Sequence, residues 1–232
     1  MPSIWMLIAL FFAYSVCGWI IEGCMFLINE GKFVNRGFLV GPCCPIYGVG
    51  SLIMILTLQR YVDDFIVLFV MCVFICGTLE YFTSYIMEKL FKARWWDYSE
   101  KKFQINGRIC LETLVQFGLG GLFIMYAANP LFTFLLSKLS LNVLQILDII
   151  LMIIFLFDVA VSFRIIYNFK SVAVNIKKDS TDEISKKVRN ILTEKSKLTK
   201  RLVKAFPDYQ AKIRKVRDNY NEKLSKRNGK HN

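Results

Sequence analysis

Three carboxylates stand inside apolar sequence: Glu22 in GWIIEGCMF, Glu80 in GTLEYF and Glu112 in ICLETL. An ionised carboxylate among hydrocarbon costs several kcal/mol unless it is paired or wetted, so acids in such runs lean towards function. Two arginines, Arg36 and Arg108, sit just outside apolar runs, and a polar stretch containing Trp95, Trp96, Asp97 and Tyr98 lies between two of them. At similar depth these groups have two uses. They can neutralise one another and so specify how helices dock, in which case removing one partner strands a charge at about 3–5 kcal/mol. Alternatively, they can line a polar cavity in which Arg36 and Arg108 grip a phosphate or carboxylate, because guanidinium presents a bidentate fork.

Covalent or acid–base chemistry would need a nucleophile or a base near this cluster. Cys44, Cys110 and Glu80 are the candidates. The sole histidine is His231, far down a basic tail, so a Cys–His pair and histidine metal ligands are absent from the apolar part. The seven cysteines are odd in number and show no CxxC spacing, which argues against a disulfide framework or a zinc site. No metal and no cofactor are expected. These residues favour a non-catalytic component, with lipid-headgroup chemistry by an acid and an arginine as the alternative. Trp95, Trp96 and Tyr98 also suit interfacial anchoring.

The elements that must position these groups follow from hydrophobic run length. The chain has 232 residues, of which 55% are hydrophobic and 15% aromatic, too apolar for an ordinary soluble domain of that size. A bilayer core of about 30 Å needs roughly 20 apolar residues in helix. Runs at 3–28, 38–59, 65–91, 109–136 and 141–169 meet or approach that length. The expected fold is therefore an all-α integral membrane protein of about five transmembrane helices. MPSIWML lacks a basic region of the signal-peptide kind, and the first run is long enough to remain in the membrane. The second run is broken in its first half by Gly41, Pro42, Pro45, Gly48 and Gly50, around Cys44 and Tyr47. Proline removes a donor and blocks the preceding turn, so a kinked span is expected, with bare amides or carbonyls available to a ligand. Asn129-Pro130 predicts a break late in the fourth span. Asp148 and Asp158 in the fifth can relay protons, pair with Arg164 or face a polar groove.

Charge orients the array. The formal net charge is +12, yet from Arg164 onward there are 20 Lys+Arg against 7 Asp+Glu, so the excess belongs to the tail. The connections 29–37 and 92–108 are basic, whereas 60–64 and 138–140 carry only Arg60 and Lys138. The positive-inside rule then puts the N-terminus outside and the tail in the cytoplasm. Two parts follow, a transmembrane domain over 1–170 and a basic cytoplasmic helical tail over 171–232. In the tail, Ile184, Val188, Ile191, Leu198 and Leu202 form one amphipathic stripe, and Ile213, Val216, Tyr220 and Leu224 form another beyond Pro207. The last residues read as disordered. Its lysines and arginines would be drawn to anionic membrane lipids; no nucleic acid is expected as a partner.

Two motifs carry a resemblance. One is Asn35-Arg36-Gly37-Phe38-Leu39 running into Gly41-Pro42-Cys43-Cys44-Pro45-Ile46-Tyr47-Gly48. The other joins Leu79-Glu80-Tyr81 through Arg94-Trp95-Trp96-Asp97-Tyr98-Ser99 to Gly107-Arg108-Ile109-Cys110-Leu111. In order, spacing and placement they resemble the CmpB-type family of small multi-pass membrane proteins, labelled ABC-transporter type IV and catalogued as ABC transporter permeases. The resemblance covers roughly residues 5–170. It implies a permease-like role, and a separate ATPase subunit as partner, since this chain has no GxxxxGK phosphate loop. The expectation is a transporter component with a cytoplasm-facing site for an anionic ligand, built from Glu22, Arg36, Glu80, Trp95, Asp97, Arg108 and Glu112. The alternatives are a lipid-headgroup enzyme or binder, and a scaffold that recruits partners through its tail.

Overall fold

The structure, a computed structural model, describes residues 2–31, 35, 37–91 and 94–175. Arg36 and the expected tail helices lie outside the described residues. Six α-helices make up most of this part: α1 (Ile4–Glu30), α2 (Pro45–Leu58), α3 (Phe65–Phe91), α4 (Leu111–Phe123), α5 (Asn129–Ser137) and α6 (Leu141–Asn175). Four stretches are long and apolar enough to cross a membrane: Ile4–Ile28, Phe65–Phe91, Leu111–Ser137 and Leu141–Ile165. Large apolar side chains such as Phe74, Phe123 and Phe157 point outward into open surface, as a lipid-facing exterior requires.

Sequence accounts for the helix ends. Ser3 caps α1, its hydroxyl accepting from Met6 N at 3.2 Å. Gly31 closes the same helix in the left-handed region at φ +67°, its amide donating to Leu27 O. Pro45 occupies the first turn of α2, where its missing N–H is harmless.

The second apolar run contributes a 14-residue helix, about 21 Å long, as its broken first half requires, so the long stretches number four among the described residues. Two details differ from expectation. Asn129-Pro130 does not break the fourth rod. One π-helical turn, Ile124–Ala128, precedes it and joins α4 to α5, the Asn129 amide reaching back to Ile124 O. The connection after α3 is not free of sheet: β1 (Gln104–Ile105) pairs antiparallel with β2 (Ile109–Cys110). Asn106 and Gly107 turn this hairpin at φ +54° and +67°, the left-handed pair a tight hairpin needs.

Helices pack where small residues let them approach. A side chain at Gly18 would strike the Tyr47 ring, and one at Gly48 would strike Phe11 and Ser15, so α1 and α2 lie in close contact. Gly77, Gly118 and Gly121 do the same between α3 and α4, facing Leu114, Phe69 and Cys72. A buried apolar cluster of Leu10, Met54, Leu58, Leu68, Cys72 and Leu122 fills the half of the bundle away from the hairpin. At the hairpin end, Phe38, Phe91, Trp95 and Phe163 form a ring cluster with centroids 5.2–5.8 Å apart, tying four segments together.

Candidate functional site

The non-helical residues 37–44 come first, because they position α2. The amide of Cys44 donates to Ser15 O at 2.9 Å. Ser15 lies about 17 Å along α1 from Ile4, so this segment reaches mid-depth before α2 begins. Backbone at such depth must find partners. Val40 N donates to Asp158 Oδ1 at 2.9 Å and to Ser162 Oγ at 3.2 Å, and Gly41 N donates to Asp158 Oδ2 at 2.8 Å. Ser162, one turn on, also donates to Asp158 Oδ1 at 3.1 Å. Asn35 answers from the other side, its Nδ2 donating to Val40 O at 3.1 Å and its Oδ1 accepting from Gly37 N at 3.0 Å. Gly41 is glycine for want of room: a Cβ there would meet the Asp158 carboxylate. Asp158 therefore pairs with backbone amides rather than with Arg164. The amides expected to face a ligand are held by this aspartate.

Two acid–tyrosine pairs form at the same end. Tyr47 on α2 donates to Glu22 Oε1 on α1 at 2.7 Å, its ring lying over Gly18. Tyr98, in the connection before the hairpin, donates to Glu80 Oε1 on α3 at 3.2 Å. Burial first, then the charges of Glu80 and Glu22, pushes the Tyr98 phenol well above its ordinary value, so both carboxylates lie within its electrostatic reach. Glu80 is only 6% exposed, and its Oε2 has no hydrogen-bond partner among the described residues.

Arg108 makes a second branch. Glu80, Ser84 and Glu88 recur every four residues and share one face of α3. Arg108, buried, donates to Ser84 Oγ at 3.3 Å and pairs with Glu88 Oε2 at 2.7 Å. Its guanidinium also stacks over Tyr81 and Tyr85, 5.7 and 5.4 Å from their centroids. Arg94 Nε reaches the same Glu88 oxygen at 3.1 Å. Trp96 Nε1 donates to Arg108 O at 2.9 Å, and Tyr98 N donates to Gly107 O at 2.8 Å, fixing the connection against the hairpin turn. Asp97 builds the turn itself by accepting from the Ser99 hydroxyl and amide. The hydroxyl chiefly, then the amide and Arg94, hold its carboxyl below the usual range.

Of the expected residues, Glu22, Tyr47 and Glu80 come together, and Arg108, Trp96 and Asp97 stand beside them. Glu112 does not join them. It lies in the first turn of α4, 58% exposed, paired with Lys101 Nζ at 2.8 Å. Trp95 belongs to the aromatic cluster, and Pro42 is exposed. Cys44 is buried and Cys110 heads α4 beside Thr113. Sequence reasoning missed Tyr98, Ser84, Glu88 and Asn35 as partners, and left Asp158 undecided. The i, i+4 spacing of Asp158 and Ser162 in an apolar helix was the available signal. Asp148, on the same helix, is 1% exposed and neither carboxylate oxygen has a hydrogen-bond partner among the described residues.

A family model described as putative ABC-transporter type IV matches residues 9–163. Comparison with curated proteins and with solved structures finds no match.

Proposed function

The chain belongs to the CmpB family, putative ABC-transporter type IV, and from that premise we propose that it is a permease-like membrane component with a polar ligand site facing the cytoplasm. The observation that carries this is Glu80: a buried carboxylate with one oxygen unpartnered among the described residues, electrostatically close to a second acid, Glu22. A buried, half-satisfied carboxylate is a place for a ligand's donor or positive charge. Charge supports that class of ligand, since Arg94 and Arg108 are engaged by Glu88 and Asp97, whereas Glu22 and Glu80 accept from the neutral phenols of Tyr47 and Tyr98.

A second reading keeps the anionic ligand. Arg94 and Arg108 converge on one oxygen of Glu88, so a phosphate or lipid headgroup that displaces Glu88 would meet two guanidinium forks, with Arg36 nearby in sequence to the broken segment. In either case residues 37–44 with α2 form the fifth crossing, the hairpin end is cytoplasmic, and a separate ATPase chain supplies the energy. The basic connections 29–37 and 92–108 support that orientation. Residues 176–232 continue the chain on the same side as a basic tail able to bind lipid or partners.

The test is thermal unfolding of the purified protein in lipid nanodiscs against a panel of amines and of phosphate-bearing headgroups. Amines should raise the midpoint of the wild type and leave Glu80→Gln unmoved. Stabilisation by phosphates alone, abolished in Arg108→Gln, establishes the second reading instead. No response from either panel contradicts both.

A further inference from the structure

We propose that Asp148 is a proton-binding site, separate from the Glu80 cluster and located in the opposite half of the bundle. Asp148 and Asp158 share α6 and make an internal control. Asp158 accepts from two backbone amides and a hydroxyl, which suit a charged carboxylate. Ten residues away, about 15 Å along the helix, Asp148 is 1% exposed and neither oxygen has a hydrogen-bond partner among the described residues. Removing a carboxylate from water without donors or a counter-charge is prohibitive, and the group meets that cost by neutralising. One proton on one oxygen is sufficient. A metal ion would need several further ligands, and among the described residues no cluster of three ligating acids, cysteines or histidines exists.

Among the described residues no cation lies within hydrogen-bonding reach of Asp148 to replace the proton. Residues 4–21 of α1, which packs on α6, carry no charged side chain, and the titratable groups there are Tyr14 and Cys17. The Tyr14 hydroxyl is itself buried without a partner among the described residues. α3 brings Cys72, Cys76 and Glu80, with Glu88 and Lys89 at its hairpin end, and α6 adds only Asp158 and Arg164 up to residue 165. At the near end of the bundle stand Asp63 and Asp64, with Arg60 over the Tyr61 ring and Lys138 over the Phe134 ring. Binding adds one proton from water to Asp148 and makes no other bond. Its release requires water to reach the site, so α6 must part from its neighbours, and protonation is thereby linked to movement of α6.

The test uses the full chain in lipid. Infrared spectra of the wild type and Asp148→Asn at neutral pH should differ by loss of a protonated-carboxyl band in the variant, with the unfolding midpoint unchanged within a few degrees because asparagine replaces a neutral group. Loss of intensity from the carboxylate band instead would overturn the proposal. If the variant does not fold, carbon-13 NMR of aspartate-labelled wild type decides: an aspartate resonance at the protonated position at neutral pH supports the site, and its absence refutes it. Neither readout depends on ligand binding at Glu80, so failure here leaves the permease reading standing.

Discussion

The two halves of this bundle are held by different physics. Away from the hairpin, α1, α2, α3 and α4 meet through Leu10, Met54, Leu58, Leu68 and Cys72, with glycines admitting Phe69 and Cys72 to close range. At the hairpin end the contacts are polar and individually specific: Asp158 on two amides, Tyr47 on Glu22, Tyr98 on Glu80, and Arg108 on Glu88 and Ser84. Lipid is as apolar as leucine, so apolar surface alone gives a membrane helix little preference for one neighbour over another. The glycine contacts set how closely helices approach, and the polar end sets which helix faces which. Among the described residues, the same polar end leaves one Glu80 oxygen without a hydrogen-bond partner, and the apolar half contains Asp148 with neither oxygen partnered.

Substitutions should separate these contributions. The largest loss is expected from Asp158→Ala, which removes the carboxylate acceptor of the Gly41 amide at mid-depth and one of the acceptors of the Val40 amide. A cost of about 3 kcal/mol, read as lost monodisperse yield and a lower unfolding midpoint, would set the polar clamp above any single apolar contact. Arg108→Ala should follow at about 2–3 kcal/mol, reduced because Glu88 retains Arg94 and is partly exposed. Gly118→Leu, which drives a side chain into Phe69, should cost about 1–3 kcal/mol through overpacking and should disturb only the α3–α4 contact, as cysteine cross-linking between those helices would reveal. Tyr98→Phe removes one hydrogen bond, about 1 kcal/mol, and should alter ligand response more than stability. Lys138→Ala, at the sparse end, should change the midpoint by less than about 0.5 kcal/mol equivalent. If Lys138→Ala proved as damaging as Asp158→Ala, the contrast between the halves would collapse.

Run length made most of the helices legible. The third run, read as 65–91, is α3 as found, and the first and fourth differ by a residue or two at their ends. The fifth run, read to 169, is α6, which continues to Asn175 because nothing between 165 and 175 stops it: there is no proline or glycine. Glu112 stands apart from the expected cluster because the fourth run turns helical two residues after its apolar start at 109. The helix starts at Leu111, which puts Glu112 in its exposed first turn, where a carboxylate suits the helix dipole. The hairpin carried a readable signal in Asn106-Gly107, but its strands are two residues each, too short to register as alternation. At the site, sequence identified Glu22, Glu80 and Arg108 as the polar groups but not their partners. Partner choice depends on helix rotation and on the path of residues 94–110, so Arg108 meets Glu88 instead of Glu80. The clamp on Asp158 joins groups 117–118 residues apart through backbone amides, so the Asp158/Ser162 spacing marks the acceptors but not their donors.

Native mass spectrometry of the protein extracted from its own membrane, wild type beside Glu80→Gln, bears most directly on the claim that the acid–tyrosine cluster takes a ligand. A small species retained by the wild type and lost from an equally stable Glu80→Gln is the predicted result. Identical spectra with nothing bound to either, or the same species held by both, would contradict it.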